Sequence, residues 1–138
     1  PVYGVDWNNA DRMCIAQGKR LCTDNEWEKA CAGPKGMIWP FGDRYQNDTC
    51  NISGTGIEKS GSRAACVGPY GVRDMAGNAA EWTDSTRGEQ QSSYMQVAPR
   101  IVKGGSWKDN PIFTRCASVD SYDPKIVNRR IGFRCCWP

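Results

Sequence analysis

Eight cysteines and no histidine decide which chemistry this chain of 138 residues can perform. Without an imidazole, a Ser-His-Asp triad, a Cys-His dyad and a histidine metal site are all excluded. Thiolate metal sites typically use C-x2-C pairs, which the sequence lacks, whereas a disulfide framework needs only an even number of cysteines and an oxidising compartment. We therefore expect disulfides and an extracellular or cell-surface location. The exception would be an intracellular protein of an extreme thermophile.

A second candidate site is the stretch from Asp74 to Glu81, in which two carboxylates flank small residues. Calcium binds roughly six to eight oxygens from carboxylates and backbone carbonyls, so this composition suits it chemically. The alternative is structural, because both acids could instead accept hydrogen bonds from nearby backbone N–H groups or pair with arginines. Both interpretations remain open at the level of sequence.

Length and charge restrict the other function classes. The 138 residues fit one domain, residues 1–138, with a single hydrophobic core. The formal net charge is +3, and the 18 basic residues are scattered among 15 acidic ones instead of forming a basic stripe. No apolar run approaches the roughly 20 residues that span a bilayer. We therefore expect neither a nucleic-acid partner nor membrane insertion.

The elements that must position these groups are short. Residues 6–17 show helical spacing behind Asp6, a good N-cap, and Thr23 with Glu26 forms a capping box that begins a second helix. Residues 33–70 carry many turn formers and predict a long irregular segment, which Cys50 and Cys66 could fasten. Strand-like runs come late, at 101–103, 115–119 and 131–137. The pattern predicts an α+β fold with two short helices, short antiparallel strands and much irregular structure.

Five motifs in a fixed order resemble those of a known family: PVYGVDWNNADRMC, GKRLCTDNEWEKAC, YGVRDMAGNAAEWT, VKGGSW and IGFRCC. They cover nearly the whole chain, from Pro1 to Cys135, and resemble the formylglycine-generating (sulfatase-modifying factor) domain family. The resemblance implies the C-type lectin-like fold of that subclass. The family's usual N-terminal portion is not matched, so we expect a minimal core of the domain.

The resemblance also places the family's catalytic residues. In members that oxidise a sulfatase cysteine, two cysteines after the GGS motif bind copper, and they match Asp109 and a position near Thr114. A carboxylate and a hydroxyl cannot replace the soft thiolates that hold Cu(I). The related iron-dependent sulfoxide synthases use histidines, which this chain lacks. We therefore expect no copper, no iron and no catalysis.

The resemblance further implies how the cysteines pair. Cys14 would pair with Cys135, and Cys31 with Cys116, which removes Cys116 as a replacement nucleophile. For the four cysteines that remain we expect Cys50 with Cys66 and Cys22 with Cys136, which gives one of the roughly 105 connectivities open to eight cysteines.

A structural calcium ion is the cofactor that the resemblance implies. The family holds it through residues that match Asp74, Gly77, Ala79 and Glu81. A second family calcium site would involve Asn51 and Ile52, but the segment after them is shorter here and offers no clear acidic ligand.

Large aromatic side chains inside the family motifs are typical of a hydrophobic core, and these are Trp27, Trp82, Trp107 and Phe133. Because Trp107 borders the segment that follows the GGS motif, it is in addition a candidate ligand contact.

The 23 residues between the GGSW and IGFR motifs, residues 108–130, contain no Glu, Gln, Met, Leu, Trp or Gly. Every residue type present, except lysine, can be encoded by a codon ending in a pyrimidine, as mutagenesis of adenines in an asparagine-rich template would produce. Such a segment in a fixed frame resembles the variable region of proteins diversified by retroelements. The exposed positions would then be ligand contacts that mix aromatic and short polar groups, as in paratopes: Asp109, Asn110, Ile112, Phe113, Thr114, Ser118, Asp120, Tyr122, Ile126, Val127 and Asn128.

We therefore expect a ligand-binding protein that displays a hypervariable surface at about residues 107–130 to a protein or cell-surface ligand. Disulfides and calcium would keep the framework rigid, so that substitutions on this surface cost little folding energy. The alternative is a catalytically inactive accessory or sensor module of the same family. An active formylglycine-generating oxidase is the least favoured interpretation.

Overall fold

The computed structural model describes residues 1–88 and 97–138 of the chain. Within them the elements are α1 (Trp7–Ile15), β1 (Arg20–Leu21), α2 (Asp24–Ala32), β2 (Ala80–Thr86), β3 (Arg100–Lys103), a 3-10 helix (Pro111–Thr114), β4 (Asp120–Tyr122), β5 (Ile131–Phe133) and β6 (Cys135–Cys136). This combination confirms the predicted α+β class.

Both predicted helices form where their caps place them. The Asp6 carboxylate accepts a hydrogen bond from the Asn9 N–H at 2.8 Å and begins α1. At α2 the Thr23 side chain accepts from the Glu26 N–H while Glu26 accepts from the Thr23 N–H, so the predicted capping box is present. Gly33 ends α2 with a φ of 68°, a left-handed conformation that glycine adopts without a steric penalty.

Two small sheets hold the strands together. The larger has the order β4-β3-β2-β5, and the smaller joins β1 to β6 in an antiparallel pair. In the larger sheet β2 pairs with β3 and β3 with β4 in antiparallel fashion, whereas β2 and β5 run parallel. The parallel pair differs from the all-antiparallel arrangement that the sequence predicts.

The strand predictions need three corrections. Residues 115–119 are not a strand, since a turn closes there with the Ser118 N–H donating to the Arg115 carbonyl, and β4 begins only at Asp120. The run 131–137 splits at Arg134 into β5 and β6, which belong to different sheets. Strand β2 was not predicted, because its first four residues are all buried and show no alternation of apolar and polar side chains.

All four disulfides pair as predicted: Cys14–Cys135, Cys22–Cys136, Cys31–Cys116 and Cys50–Cys66. The first three connect the N-terminal helices and β1 to the last quarter of the chain, across sequence separations of 121, 114 and 85 residues. The fourth closes 16 residues inside the irregular segment. Disulfides of this number are characteristic of an oxidising environment.

The core surrounds the larger sheet. Trp82 and Trp27 are 0% and 1% exposed, as predicted for core aromatics. Phe133 is half-buried and packs against the Trp82 cluster, and Trp107 is half-buried. Between α2 and β2 the described chain has only isolated bridges such as Trp39 with Gly42, which confirms the predicted irregular segment.

Candidate functional site

Residues 107–130, which we call the display segment, follow a tight turn formed by two glycines. Gly104 and Gly105 have φ values of 89° and 63°. A Cβ at Gly105 would lie 2.9 Å from the Thr114 side chain, and one at Gly104 would lie 3.0 Å from the Trp27 ring. Only glycine therefore lets the chain leave β3 so close to the core.

Side-chain hydrogen bonds of the display segment are mostly local. Asp109 accepts from the Ser106 N–H at 2.6 Å and from the Ser106 hydroxyl at 2.8 Å. Asn110 caps the 3-10 helix, and the Ser118 hydroxyl donates to the Ile112 carbonyl at 2.8 Å. These Asx and serine turns stabilise the local backbone path.

One cavity of about 270 Å³ opens between the display segment and the larger sheet, and residues of all four strands of that sheet line it. Six predicted contact residues line it, namely Asp109, Phe113, Ser118, Asp120, Tyr122 and Asn128. Ser106, Val119 and Arg130 also line it and were not predicted as contacts. Ser106 belongs to the GGSW motif, and Arg130 directly precedes the IGFR motif. The fold thus brings residues 21 positions apart in sequence into one concave site.

The other predicted contacts lie outside the cavity wall. Ile112, Phe113, Ile126 and Val127 expose 50%, 63%, 40% and 65% of their surface, and Phe113 belongs to both the cavity wall and this apolar exterior. Asn110 is exposed and Trp107 is half-buried. Exposed large apolar residues in one short segment are typical of an interaction surface.

Thr114 differs from its expected exposure, because it is fully buried. Its hydroxyl donates to the Pro111 carbonyl at 2.7 Å and accepts a hydrogen bond from the Trp39 indole N–H at 3.3 Å. The neighbouring Ile38 carbonyl accepts from the Cys116 N–H at 2.8 Å. Residues 38–39 therefore support the display segment from below, a contact that sequence spacing does not reveal.

Tyr122 connects the cavity to the core. Its ring packs edge-on against Trp82, with centroids 6.4 Å apart, and its hydroxyl donates to the Asp120 carboxylate at 2.8 Å. Burial, and then the hydrogen bond to Asp120, raise the pKa of Tyr122 to about 12. The phenol is therefore protonated at neutral pH and keeps the Asp120 carboxylate in place.

The implied calcium motif is arranged around an ion pair. Asp74, Ala79 and Glu81 line one cavity of about 400 Å³, whereas Gly77 does not line it. The Glu81 carboxylate accepts from the Trp27 indole at 2.6 Å and from the Arg134 guanidinium at 2.8 Å. Both carboxylate oxygens thus accept hydrogen bonds, so a calcium ion bound through Glu81 would compete with Arg134 and Trp27 for this carboxylate.

Asp74 has its own partner in the same cavity, since its carboxylate accepts from the Gly61 N–H at 2.7 Å. Across residues 1–88 and 97–138, no three His, Cys, Asp or Glu side chains are grouped so that they could hold a metal ion. Calcium at Asp74, Gly77, Ala79 and Glu81 stays a prediction, and the structure shows which interaction it would have to replace.

Asn51, at the second implied calcium position, has one suitable oxygen. Its amide nitrogen donates to the Gly56 carbonyl at 2.8 Å and to the Asn78 side chain at 3.1 Å. Its buried side-chain oxygen has no hydrogen-bond partner in the described part of the chain. An unpartnered buried carbonyl is a ligand that calcium accepts, although a single oxygen falls far short of a coordination shell.

In the described ranges no helix has the length and apolarity needed to cross a bilayer.

The sulfatase-modifying factor enzyme 1-like domain matches residues 1–138. The chain is 32% identical over 158 residues to "Inactive C-alpha-formylglycine-generating enzyme 2" of Bos taurus, covering 98% of this chain and 49% of the relative. It is 35% identical over 147 residues to "Serine/threonine-protein kinase pkn1" of Chlamydia caviae, covering 98% of this chain and 24% of the relative. The chain thus spans half or less of the length of these relatives.

Among solved structures, "Treponema denticola variable protein 1" superposes with a TM-score of 0.82 at 18% identity, covering 100% of this chain and 71% of that protein. At this level of identity the likeness establishes the fold, which is the variant C-type lectin fold expected from the sequence motifs.

Proposed function

The chain belongs to the sulfatase-modifying factor enzyme family, and we propose that it is a non-catalytic, ligand-binding member whose binding surface is the display segment. The convergence of six predicted contact residues on one cavity supports this most directly. An apolar exterior formed by Ile112, Phe113, Ile126 and Val127 lies in the same segment. The cavity and the apolar exterior together provide a recess and a rim for a protein ligand.

The positions that match the family's copper cysteines support a non-enzymatic role. Asp109 is half-buried and hydrogen-bonded to Ser106. Thr114 is buried and hydrogen-bonded to Pro111 and Trp39. Every cysteine is held in a disulfide, so no thiol is free to bind Cu(I). Incubating the protein with copper and a peptide that contains a sulfatase cysteine should yield no aldehyde. Formation of aldehyde above the copper-only control would overturn this part of the proposal.

Hypervariability of the display segment rests on its composition and on the fold shared with the Treponema variable protein. The decisive observation is genomic. Retroelement diversification requires a near-identical copy of the DNA that encodes residues 104–136, beside a reverse transcriptase gene, with differences concentrated at adenines. If no such copy is present in the source genome, diversification is excluded, and a fixed binding surface is what remains.

The second candidate is an inactive accessory or sensor domain of a longer protein. It is favoured by the relatives, since one carries the word "inactive" in its name and the chain matches only 24% of the chlamydial kinase. Sequencing the display segment in many isolates separates the candidates. Substitutions confined to residues 107–130 support display of a variable surface, whereas uniform divergence along the chain supports the accessory module.

The four disulfides and the binding proposal point to the same location. A protein that presents a binding surface to other proteins or cells, and that depends on oxidised cysteines, belongs outside the reducing cytosol. We therefore propose an extracellular or cell-surface site of action.

A further inference from the structure

The charged and aromatic groups that line the cavity beneath the display segment restrict the class of ligand that it can bind. Its charged lining groups are two carboxylates, Asp109 and Asp120, and one guanidinium, Arg130, which leaves one net negative charge. Two aromatic rings, Phe113 and Tyr122, line the same cavity. Carboxylates beside aromatic faces are the combination that attracts ammonium and guanidinium groups.

The two carboxylates differ in how far they are already neutralised. Asp109 accepts two hydrogen bonds from Ser106 and lies 3.8 Å from the Arg130 guanidinium. Asp120 accepts from the Ser121 N–H and the Tyr122 hydroxyl, both neutral donors. Within the described part of the chain no basic side chain pairs with Asp120. Asp120 is therefore the carboxylate whose charge is available to a ligand.

The size of the cavity also restricts the ligand. Its volume of about 270 Å³ lies below the roughly 300–1,000 Å³ of pockets that enclose drug-sized molecules. It suits one side chain of a larger partner better than a whole small molecule. The exposed Phe113 and Ile112 at the rim would contact the partner's surface around that side chain.

We propose that this cavity receives a basic side chain, lysine or arginine, of a protein ligand, with Asp120 pairing with its charge and Tyr122 and Phe113 contacting its stem and cationic head. This inference rests on the proposed function, because it assigns the ligand chemistry of the display segment. It goes further in naming one recognising carboxylate and one class of anchor residue.

The positioning of Asp120 follows from the sheet. Val102 of β3 lies opposite Asp120 of β4 in the antiparallel register, and the Tyr122 ring is fixed by its contact with Trp82. The hydroxyl of Tyr122 then holds one Asp120 oxygen from within the segment. A carboxylate held in this way loses less side-chain freedom when it binds than a free surface aspartate would.

The test uses a phage library of random heptapeptides selected on the immobilised, disulfide-intact protein. We expect the selected peptides to contain lysine or arginine more often than the unselected library does. The Asp120→Asn variant should lose that preference, and it should bind a selected peptide about three- to tenfold more weakly. The Asp123→Asn variant removes the same charge from the same segment outside the cavity wall and should retain both properties.

The outcomes distinguish the inference from the function on which it rests. If the selected peptides contain no excess of basic residues, the basic-anchor proposal is overturned while the binding surface stays intact. The same holds if Asp120→Asn and Asp123→Asn weaken peptide binding equally. If no peptide is enriched over a heat-denatured control, both the anchor and the peptide-binding surface are contradicted. Near-UV circular dichroism of each variant confirms that the comparison is between folded proteins.

A defined probe gives a second measurement. Nα-acetyl-lysine amide should shift the amide signals of the residues that line the cavity in a ¹⁵N-labelled sample, whereas Nα-acetyl-norleucine amide, which lacks the ammonium group, should shift them at least about threefold less at equal concentration. Equal shifts with both probes would show that the cavity recognises only the apolar stem, against the inference.

Discussion

The framework, by which we mean residues 1–88, 97–106 and 131–138, differs from the display segment in the sequence distance between its polar partners. Besides local pairs such as Arg20 with Glu26, the framework has several between distant residues: Trp27 and Arg134 meet at Glu81, and Lys103 pairs with Glu28. In the display segment, side-chain hydrogen bonds join residues no more than six positions apart, with Thr114 to Trp39 as the exception in the described chain. A segment whose turns are stabilised locally can change its exposed residues without disturbing the rest.

The disulfides stabilise mainly the framework. Three of them join the first 31 residues to positions 116, 135 and 136. Cys116 is a buried residue of the display segment, whereas Cys135 and Cys136 lie after it. A covalent bond that closes a long loop acts chiefly by restricting the unfolded chain. The framework therefore retains stability that does not depend on which side chains the display segment carries.

Removing a long-range disulfide should give the largest loss. The double variant Cys14→Ala/Cys135→Ala opens a bond across 121 residues, for which loop entropy predicts about 4–5 kcal/mol of lost unfolding free energy. Cys50→Ala/Cys66→Ala opens one across 16 residues, with a predicted loss of about 3 kcal/mol. Urea denaturation measures both. If the Cys50→Ala/Cys66→Ala variant loses more unfolding free energy than the Cys14→Ala/Cys135→Ala variant, the long-range disulfide is not the stronger stabiliser.

Breaking the Glu81–Arg134 pair should rank second. Arg134→Gln leaves the Glu81 carboxylate, which is 10% exposed, without its cation, and we expect a loss of about 2–4 kcal/mol. The same variant tests calcium at this motif. Because Glu81 is committed to Arg134 in the native protein, 1 mM calcium should raise the melting temperature by less than about 1 °C there, but by about 3 °C in Arg134→Gln.

The control for the calcium experiment is the double variant Arg134→Gln/Glu81→Gln, which removes the carboxylate as well and should show no gain. Equal stabilisation of the native protein and Arg134→Gln would mean that calcium binds beside the intact pair. EDTA-treated samples provide the reference temperature in each case.

Local signals and long-range pairings differ in how well the sequence predicts them. The capping box at Thr23 and the N-cap at Asp6 are short-range patterns, and both form as expected. The burial of Thr114 depends on Trp39, 75 residues away, and no local pattern encodes it. The same holds for β2, whose first four residues are all buried, so that the alternation by which half-buried strands are recognised is absent.

The candidate site shows the same limit. Composition of residues 108–130 identified the segment, but not which side chains meet in the cavity. Ser106 and Arg130 were missed because they lie at the borders of the segment, although both line the cavity. Pairing with an arginine was one of two alternatives for Glu81, and the sequence could not decide between them or identify Arg134, since carboxylate spacing alone suits an ion pair and a calcium site equally well.

A third, smaller effect should depend on pH. The Arg20 guanidinium, with help from the Thr23 N–H, lowers the pKa of Glu26 from 4.5 to about 2. A folded-state pKa that is depressed contributes stability above pH 4.5, and this contribution is lost as the pH falls from 4.5 towards 2. The pair is exposed, so Glu26→Gln should cost only about 0.5–1 kcal/mol at pH 7.

The Glu26→Gln difference should become much smaller near pH 2, where about half of the native carboxyl groups are protonated. Urea denaturation of both proteins at pH 7, 4 and 2 measures this. A difference that stays constant across the range would assign the loss to the capping geometry instead of the charge.

The smallest effect per substituted residue is expected in the display segment, where it tests the comparison most directly. Replacing Ile112, Phe113, Ile126 and Val127 together by serine changes side chains that are 40–65% exposed, so each should cost less than about 0.5 kcal/mol. Thr114→Val is the control inside the same segment, because it keeps the shape but leaves the Trp39 indole without its acceptor, at a cost of about 1–2 kcal/mol. A quadruple variant that loses more than about 2 kcal/mol, four times the limit for one exposed position, would show that these apolar side chains stabilise the fold, and the distinction between framework and display segment would then fail.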